Sequence, residues 1–118
     1  MDERLRRGER IRKNREFETL YRTGRRYRGS HFHLVYQANA LGFPRMAVVV
    51  SRKVGNAVQR NRIKRRVRTL FRRNKGLFTK PMDIILIAKT EMLDLSWPEL
   101  ASRYAAAIAW IFRERTAR

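Results

Sequence analysis

The stretch "VGNAVQRNRIKRRVRTLFRRNK", residues 54–75, combines dense positive charge with a regular apolar spacing. It holds no acidic residue, and eight of the fourteen residues from Arg60 to Arg73 are Arg or Lys. At about 100° per residue, its main apolar residues fall within an arc of roughly 100° on a helix. They are Ile63, Val67, Leu70 and Phe71. The stretch therefore predicts a helix that docks by one apolar stripe and is cationic over most of its remaining surface.

A disordered basic tail and an ordinary solvated helix face are the two alternatives for this stretch. A disordered tail has no reason to keep such an apolar stripe. A solvated helix face usually mixes charge signs, because Glu–Lys pairs one turn apart stabilise a helix and like-charge pairs destabilise it. A surface that binds polyphosphate fits the absence of acids better. Arg outnumbers Lys here, which favours bidentate phosphate contacts.

The whole chain points to a polyanionic partner. Its 118 residues, 43% of them hydrophobic, fit one domain with a real core, residues 1–118, within which residues 1–13 form a flexible basic arm. The net charge is +19, and residues 19–82 hold no acid but 17 Arg or Lys. A polyanion relieves the self-repulsion of such a chain. Nucleic acid is the commonest such partner, and an anionic membrane surface is the second candidate.

Other features narrow the class of protein. The chain has no cysteine, which excludes disulfides and thiolate metal sites. The longest apolar runs, "MAVVV" and "IILIA", are too short to span a bilayer. The first residues are charged from Asp2 onward and lack the apolar segment of a signal peptide. We therefore expect a soluble cytoplasmic protein with no membrane association and no obligate protein partner.

The remaining elements predict an α+β fold in the order α-β-β-α-β-α. The first helix begins near Asn14, a good N-cap, and ends at Gly24. Strands are predicted in "HFHLVYQ", "RMAVVVS" and "MDIILIAK", the last two apolar enough to be covered on both faces. The last helix opens with a capping box formed by Ser96 and Glu99. A small sheet packed against helices is the expected architecture.

The run "RNRIKRRVR", preceded by "SRKVGNAVQ", resembles the signature of the protein subunit of bacterial ribonuclease P. The similarity covers most of the chain, from "RIRKNREFETLYRTG" through a strand that ends at Ser51 and the "MDIILIAK" strand to the closing helix. It implies a central four-stranded sheet with a left-handed β-α-β crossover. Periodicity alone does not predict that hand, because most such crossovers are right-handed.

The resemblance also implies a function. Family members work in a ribonucleoprotein whose large catalytic RNA cleaves precursor tRNA, and the protein helps to bind that precursor. The reaction depends on Mg²⁺, which the holoenzyme uses mainly through RNA, and frees the mature 5′ end of the tRNA. The implied partners are the catalytic RNA and precursor tRNA. No catalytic residue and no metal-binding motif are expected in the protein.

The implied binding residues fall into two groups. Nine match the basic signature and would contact the catalytic RNA and the start of the leader: Arg52, Lys53, Asn56, Arg60, Asn61, Arg62, Lys64, Arg65 and Arg68. On composition alone, Asn61 is equally well an ordinary surface residue. Phe17 and Tyr21 match aromatic positions of a cleft that holds the single-stranded leader. Stacking on such rings tolerates many sequences, as an enzyme with many precursors requires.

The third cleft residue depends on the register of the first strand. The family often has an aromatic residue late on that strand, facing the cleft. Alternation places His33 and Val35 on one face and Tyr36 on the other. Either His33 takes the place of the aromatic residue or the register differs by one. We expect His33.

Two other functions fit the sequence less well. A metal-dependent nuclease needs clustered carboxylates, and the basic centre of the chain has none. His31 and His33 could begin a metal site, but no third ligand is evident, so partly exposed strand histidines are the simpler interpretation. A ribosomal or other structural RNA-binding protein shares the size and basicity, but it does not need an aromatic cleft beside the basic helix.

Overall fold

The computed structural model describes residue 11 and residues 14–116. The elements are α1 (Asn14–Thr23), β1 (Arg25–Arg28), β2 (Phe32–Ala38), β3 (Arg45–Val49), α2 (Ala57–Arg73), β4 (Met82–Ala88) and α3 (Trp97–Thr116). Short 3₁₀ turns lie at Lys75–Leu77 and Thr90–Asp94. The predicted α+β class and four-stranded sheet are confirmed. The fourth strand, which the apolar pattern did not place, is the short β1 between α1 and β2.

The sheet is mixed, with strand order β1-β2-β4-β3. β2 pairs antiparallel with both β1 and β4, and β3 pairs parallel with β4. The parallel pair is joined through α2, so β3, α2 and β4 form the expected β-α-β crossover. This connection places the start of the basic helix just beyond the end of β3.

The two faces of the sheet carry separate apolar clusters. On one face, Leu34, Tyr36 and Leu86 are buried against the stripes of α2 and α3. On the other face, Val35 and Ile85 pack with Leu20 of α1. Because successive side chains of a strand point to opposite faces, β2 and β4 bury both sides. α1 therefore lies across the sheet from α2 and α3.

Local signals set the starts of α2 and α3. The capping box of α3 lies where the sequence predicted it, whereas α2 spans Ala57–Arg73, a shorter range than the predicted 54–75. Asn56 caps α2, its side-chain oxygen accepting from the Gln59 N–H at 2.8 Å while the Gln59 side chain accepts from the Asn56 N–H at 2.9 Å. At the start of α3, the Glu99 N–H donates to Ser96 Oγ at 3.3 Å, and the Ser96 N–H donates to Glu99 Oε1 at 3.1 Å. The four predicted apolar residues of α2 are all buried.

α1 is fixed to the sheet by an ion-pair network around Arg45, which is mostly buried. Arg45 contacts Asp83 of β4 through two nitrogens, at 2.9 Å and 2.7 Å, and Glu16 of α1 at 2.7 Å. Asn39 also donates to Asp83, at 2.8 Å. At the far end of α1, a Cβ on Gly24 would lie 2.7 Å from the Leu20 carbonyl oxygen, so the chain can turn this closely only with glycine.

The predicted arm, residues 1–13, lies outside the described residues except for Ile11. Ile11 is buried with the cluster beneath α1, and its N–H donates to the Met46 carbonyl oxygen at 3.2 Å. Within residues 14–116, no helix combines the length and apolar character that crossing a membrane requires.

Candidate nucleic-acid interface

Helical geometry divides the cations of α2 between two sides of its buried stripe. At about 100° per residue, one set of polar residues projects to one side of the stripe around the helix axis, and another set projects to the opposite side. We call the first set the signature flank: Asn61, Lys64 and Arg68. We call the second set the groove flank: Arg62, Arg65, Arg66, Thr69 and Arg73. The basic residues of one helix therefore face two different directions.

The nine residues predicted to bind RNA differ in the exposure of their side chains and in the hydrogen bonds that those side chains already make. Arg60 is half-buried and donates to the Gly55 carbonyl oxygen at 3.0 Å, so it also braces the start of α2. Asn56 is exposed, but its side-chain oxygen is already engaged in the cap. Lys64 and Arg68 are half-buried. The other five are exposed: Arg52, Lys53, Asn61, Arg62 and Arg65.

Arg52 and Lys53 lie in the turn between β3 and α2. The turn is closed by the Val54 N–H, which donates to the Ser51 carbonyl oxygen at 3.1 Å. Val54 itself is buried in the main core and anchors the turn. The two cations before it are therefore held out toward solvent beside the N-terminus of α2.

Two aromatic rings of α1 lie at the border of the sheet face that α1 covers. Phe17 and Tyr21 lie one helical turn apart, with ring centroids 6.2 Å apart and planes 15° from parallel. Phe17 is half-buried, whereas Tyr21 is 46% exposed. The Arg26 guanidinium lies 4.8 Å from the Tyr21 ring centroid and donates to the Tyr21 carbonyl oxygen at 2.6 Å. The result is an exposed stacking surface with a cation fixed against it.

His33 lies on the same sheet face as α1. It pairs with Arg28 of β1 and Ile87 of β4, and Val35 on that face is buried beneath α1. Burial lowers the pKa of His33, and the positive charges of Lys89, Arg28 and Arg26 lower it further. Tyr36, the alternative cleft residue, is buried on the opposite face. The geometry thus brings His33 to the face that carries Phe17 and Tyr21.

Sequence reasoning missed three cations on this face. Arg26 and Arg28 belong to β1, which was not predicted, and Lys89 follows β4, where its N–H donates to the His31 carbonyl oxygen at 3.1 Å. The pairing of β1 with β2 could have placed the two arginines, but "RRYR" carries no apolar alternation. The surface formed by Phe17, Tyr21, His33, Arg26, Arg28 and Lys89 is the candidate for the predicted leader cleft, and we refer to it by that name.

Protein metal ligands are not grouped in the part of the chain that the structure describes. Residues 11 and 14–116 contain no set of three His, Asp or Glu side chains arranged to hold a metal ion. His33 lies in β2 and His31 lies just before that strand, and neither belongs to such a set. The metal site that the two histidines could begin is therefore not completed among these residues.

Comparison of the sequence with known proteins identifies one family. The Ribonuclease P family model matches residues 5–111. The ribonuclease P protein component of Syntrophus aciditrophicus is 43% identical over 96 residues, 81% of each chain. That of Thermotoga maritima is 34% identical over 115 residues, 98% of this chain and 92% of the relative.

Solved structures agree with these sequence matches. The ribonuclease P protein of Thermotoga maritima superposes with a TM-score of 0.79 at 30% identity, covering 86% of this chain and 96% of that one. A Staphylococcus aureus ribonuclease P protein gives a TM-score of 0.78 at 31% identity, covering 85% and 92%. The chain belongs to the family of bacterial ribonuclease P protein subunits.

Proposed function

We propose that this subunit binds the catalytic RNA of ribonuclease P and the 5′ leader of precursor tRNA, and thereby assists Mg²⁺-dependent removal of the leader. Membership of the family makes the chain a subunit of an endoribonuclease that processes tRNA. The finer roles rest mainly on one observation. The exposed ring of Tyr21 has the Phe17 ring centroid at 6.2 Å and the Arg26 guanidinium at 4.8 Å, on a sheet face bordered by further cations.

The leader cleft suits a single strand of RNA. Tyr21 and Phe17 offer ring faces to unpaired bases, and such stacking contributes about 1–3 kcal/mol per base without selecting a sequence. Arg26, Arg28 and Lys89 supply positive charge for the phosphates that pass alongside. His33, whose pKa is lowered, stays neutral near pH 7 and can donate or accept one hydrogen bond. The cleft therefore distinguishes a precursor, which has a leader, from mature tRNA.

The exposed cations near the start of α2 suit the folded catalytic RNA. Arg52 and Lys53 extend from the turn before the helix, and Asn61 and Arg62 follow on its first turns. Arginine contacts phosphate through two parallel hydrogen bonds, which fixes orientation as well as adding affinity. These residues are proposed to hold the RNA where the cleft can present the leader to it.

Mg²⁺ enters this proposal through RNA. Phosphate oxygens are hard ligands of the kind that Mg²⁺ prefers. The cations of the protein reduce repulsion between the two RNAs, so less Mg²⁺ is needed to bring them together. The protein contributes binding and positioning, with no catalytic side chain of its own. The proposed location is the cytoplasm, with precursor tRNA as substrate.

Reconstitution tests this function directly. The full chain is combined with the catalytic RNA of a close relative, and 5′ cleavage of precursor tRNA is followed as Mg²⁺ is lowered. We expect the protein to increase cleavage at low Mg²⁺ and to tighten binding of precursor more than that of mature tRNA. Binding of RNA with no gain in cleavage or precursor affinity would instead support a purely structural RNA-binding protein.

A further inference from the structure

A groove with a mixed aromatic and cationic lining runs along α2 on the side of the sheet opposite the leader cleft. It has a volume of about 490 Å³ and is lined by Trp97 and the whole groove flank. Volumes of about 300–1,000 Å³ are usual for sites that hold small molecules. A smaller cavity of about 70 Å³ adjoins it, shares Arg62 and Arg66, and reaches the apolar side chains of Ile63 and Leu100. The volume of the groove is therefore large enough to hold one nucleotide.

Trp97 is held in one place by its position in the fold. It is the first residue of α3, directly after the Ser96 cap that exchanges two hydrogen bonds with Glu99. Its ring is half-buried because part of it packs on the main core. The rest lines the groove beside arginines. A fixed ring with a free surface loses little entropy when a base stacks on it.

Of the four arginines in the groove flank, Arg66 is held by a hydrogen bond within the protein, whereas the other three have exposed side chains. Arg66 donates to the Leu95 carbonyl oxygen at 3.1 Å, which ties α2 to the segment before α3. Burial lowers the pKa of Arg66, and the neighbouring charge of Arg62 lowers it further. Within the described residues, the guanidinium groups of Arg62, Arg65 and Arg73 make no hydrogen bond or salt bridge. Their donors are available to an external acceptor.

We propose that this groove binds one unpaired nucleotide of RNA, with its base stacked on Trp97 and the flanking phosphates contacted by Arg62, Arg65 and Arg73. Arg62 and Arg73 are eleven positions apart, a span of about 16 Å along a helix, which is enough for consecutive phosphates of a strand. The nucleotide is unpaired, because a ring can stack fully only on a base that is splayed out of a duplex. This inference rests on the proposed RNA-binding function.

The groove and the leader cleft serve different RNA segments. α1 and the cleft lie on one face of the sheet, whereas α2 and α3 cover the other. A strand stacked on Tyr21 is therefore separated from Trp97 by the sheet. The groove is suited to a loop or bulge of the folded catalytic RNA, at a time when the leader occupies the cleft.

Tryptophan fluorescence tests the stacking. The chain has two tryptophans, so Trp110→Phe leaves Trp97 as the only one. This variant is titrated with a ten-nucleotide single-stranded RNA and with the same strand in a duplex. We expect saturable quenching by the single strand and little by the duplex. Tyr21→Ala in the same background is expected to leave the midpoint of this quenching unchanged.

Charge variants test the phosphate contacts. Arg62→Gln, Arg65→Gln and Arg73→Gln together are expected to raise the RNA concentration at the midpoint of quenching by roughly tenfold or more. A tenfold loss of affinity corresponds to about 1.4 kcal/mol. The matched control removes three exposed cations elsewhere, Lys80, Arg103 and Arg113, by the same change to Gln. Trp97→Leu, which keeps apolar bulk against the core, is expected to lower affinity for catalytic RNA about fivefold or more, whereas Trp97→Phe restores most of it.

Several outcomes would overturn the inference. Equal quenching by single strand and duplex, or equal loss in the groove and control variants, would leave only general attraction to RNA. Equal quenching by a polyglutamate peptide would make the groove an unselective anion site. If the reconstituted enzyme cleaves precursor normally while Trp97 does not respond to RNA, the groove proposal fails and the proposed function stands. If cleavage is not stimulated at all, the proposed function fails instead.

Discussion

Phe17 and Tyr21 of α1 share a helix face but divide their surfaces differently between protein and solvent. Phe17 is half-buried against the cluster of Leu20, Val35 and Ile85, whereas Tyr21 leaves nearly half of its ring exposed. The Arg26 guanidinium against the Tyr21 ring keeps positive charge at that surface. At the residue scale, Tyr21 has more surface available for a base, and Phe17 supports it.

The first prediction concerns these two rings. Tyr21→Ala is expected to weaken binding of precursor tRNA by about 1–3 kcal/mol, the contribution of stacking one base. Phe17→Ala is expected to act in the same direction and also to lower stability, because it removes packing. Affinity for mature tRNA should not change, as it lacks the leader. Phe43→Ala, which alters an exposed ring in the β2–β3 connection, is the control. Equal loss on precursor and mature tRNA would contradict the leader cleft.

The second prediction concerns the protonation of His33. Its pKa in the folded protein lies below the ordinary value of 6.5, so the unfolded chain binds the proton more tightly. The stability that depends on neutral His33 is therefore present above pH 6.5 and is lost as the pH falls through and below it. His33→Gln should flatten this part of the stability profile. In NMR titrations, RNA in the cleft should raise the pKa of His33, because phosphates favour its charged form. An unchanged pKa would place the RNA elsewhere.

The contrast between His33 and the neighbouring cations shows what sequence could predict at this scale. Alternation along "HFHLVYQ" correctly separated the face of His33 from that of Tyr36. Arg26 and Arg28 were not placed, because a strand of mostly arginine carries no periodic apolar signal and is defined only by pairing with β2. The resemblance to the family predicted the aromatic positions of the cleft. The cations at its border could be located only from the tertiary structure.

Among the secondary-structure elements, α1 depends on an ion-pair network as well as on its short apolar stripe. A ten-residue helix is marginal alone, so contacts with the sheet must hold it. Arg45 joins Glu16 of α1 to Asp83 of β4, and these contacts raise the pKa of Arg45 above its ordinary value, with the Asp83 hydrogen bonds the largest cause. The cleft rings are therefore positioned partly by a residue that does not line the cleft.

The third prediction follows from that network. Arg45→Met is expected to lower the free energy of unfolding by about 2–3 kcal/mol, since it leaves a partly buried carboxylate without its charged partner. Leader affinity should fall as well, because α1 is held less firmly. Arg45→Lys keeps the charge and should recover part of both losses. The measurements are chemical denaturation and precursor binding. Restored stability in an Arg45→Met, Asp83→Asn double variant would identify the unpaired Asp83 as the cause.

Capping signals and the apolar stripe of α2 made the helices the most predictable elements. The Ser96–Glu99 capping box and the buried side chains of Ile63 and Val67 follow directly from residue order. The groove was not predictable in the same way. Trp97 and the arginines of α2 are more than twenty residues apart, and the packing of the intervening strand and the Thr90–Asp94 turn sets their distance.

In the whole molecule the net charge is +19, and among the described residues cations lie on both sides of the sheet. The leader cleft carries cations on the α1 side, and both flanks of α2 carry them on the other. Composition predicted a polyanionic partner but could not show this arrangement. Two separate basic surfaces suit the proposed function, in which the protein lies between the leader of the substrate and the catalytic RNA.

The fourth prediction concerns salt. Each phosphate contact steepens the fall of log affinity with log salt concentration by about 0.7–0.9. Replacing Arg60, Arg62 and Arg65 by Ala should therefore flatten that dependence for catalytic RNA. Arg62 and Arg65 should account for more of the change than Arg60, whose guanidinium is engaged with the Gly55 carbonyl oxygen. The measurement is a binding titration across salt concentrations. An unchanged slope would mean that these side chains do not face phosphate.

Among the residues that the structure describes, β1 forms one edge of the sheet, where backbone groups could pair with a second copy of the chain. Three of its four residues are arginines: Arg25, Arg26 and Arg28. Two such edges brought together would place like charges side by side, which disfavours aggregation by strand addition. The arginines of this short strand, which gave no apolar pattern, thus disfavour self-association of the protein through this edge.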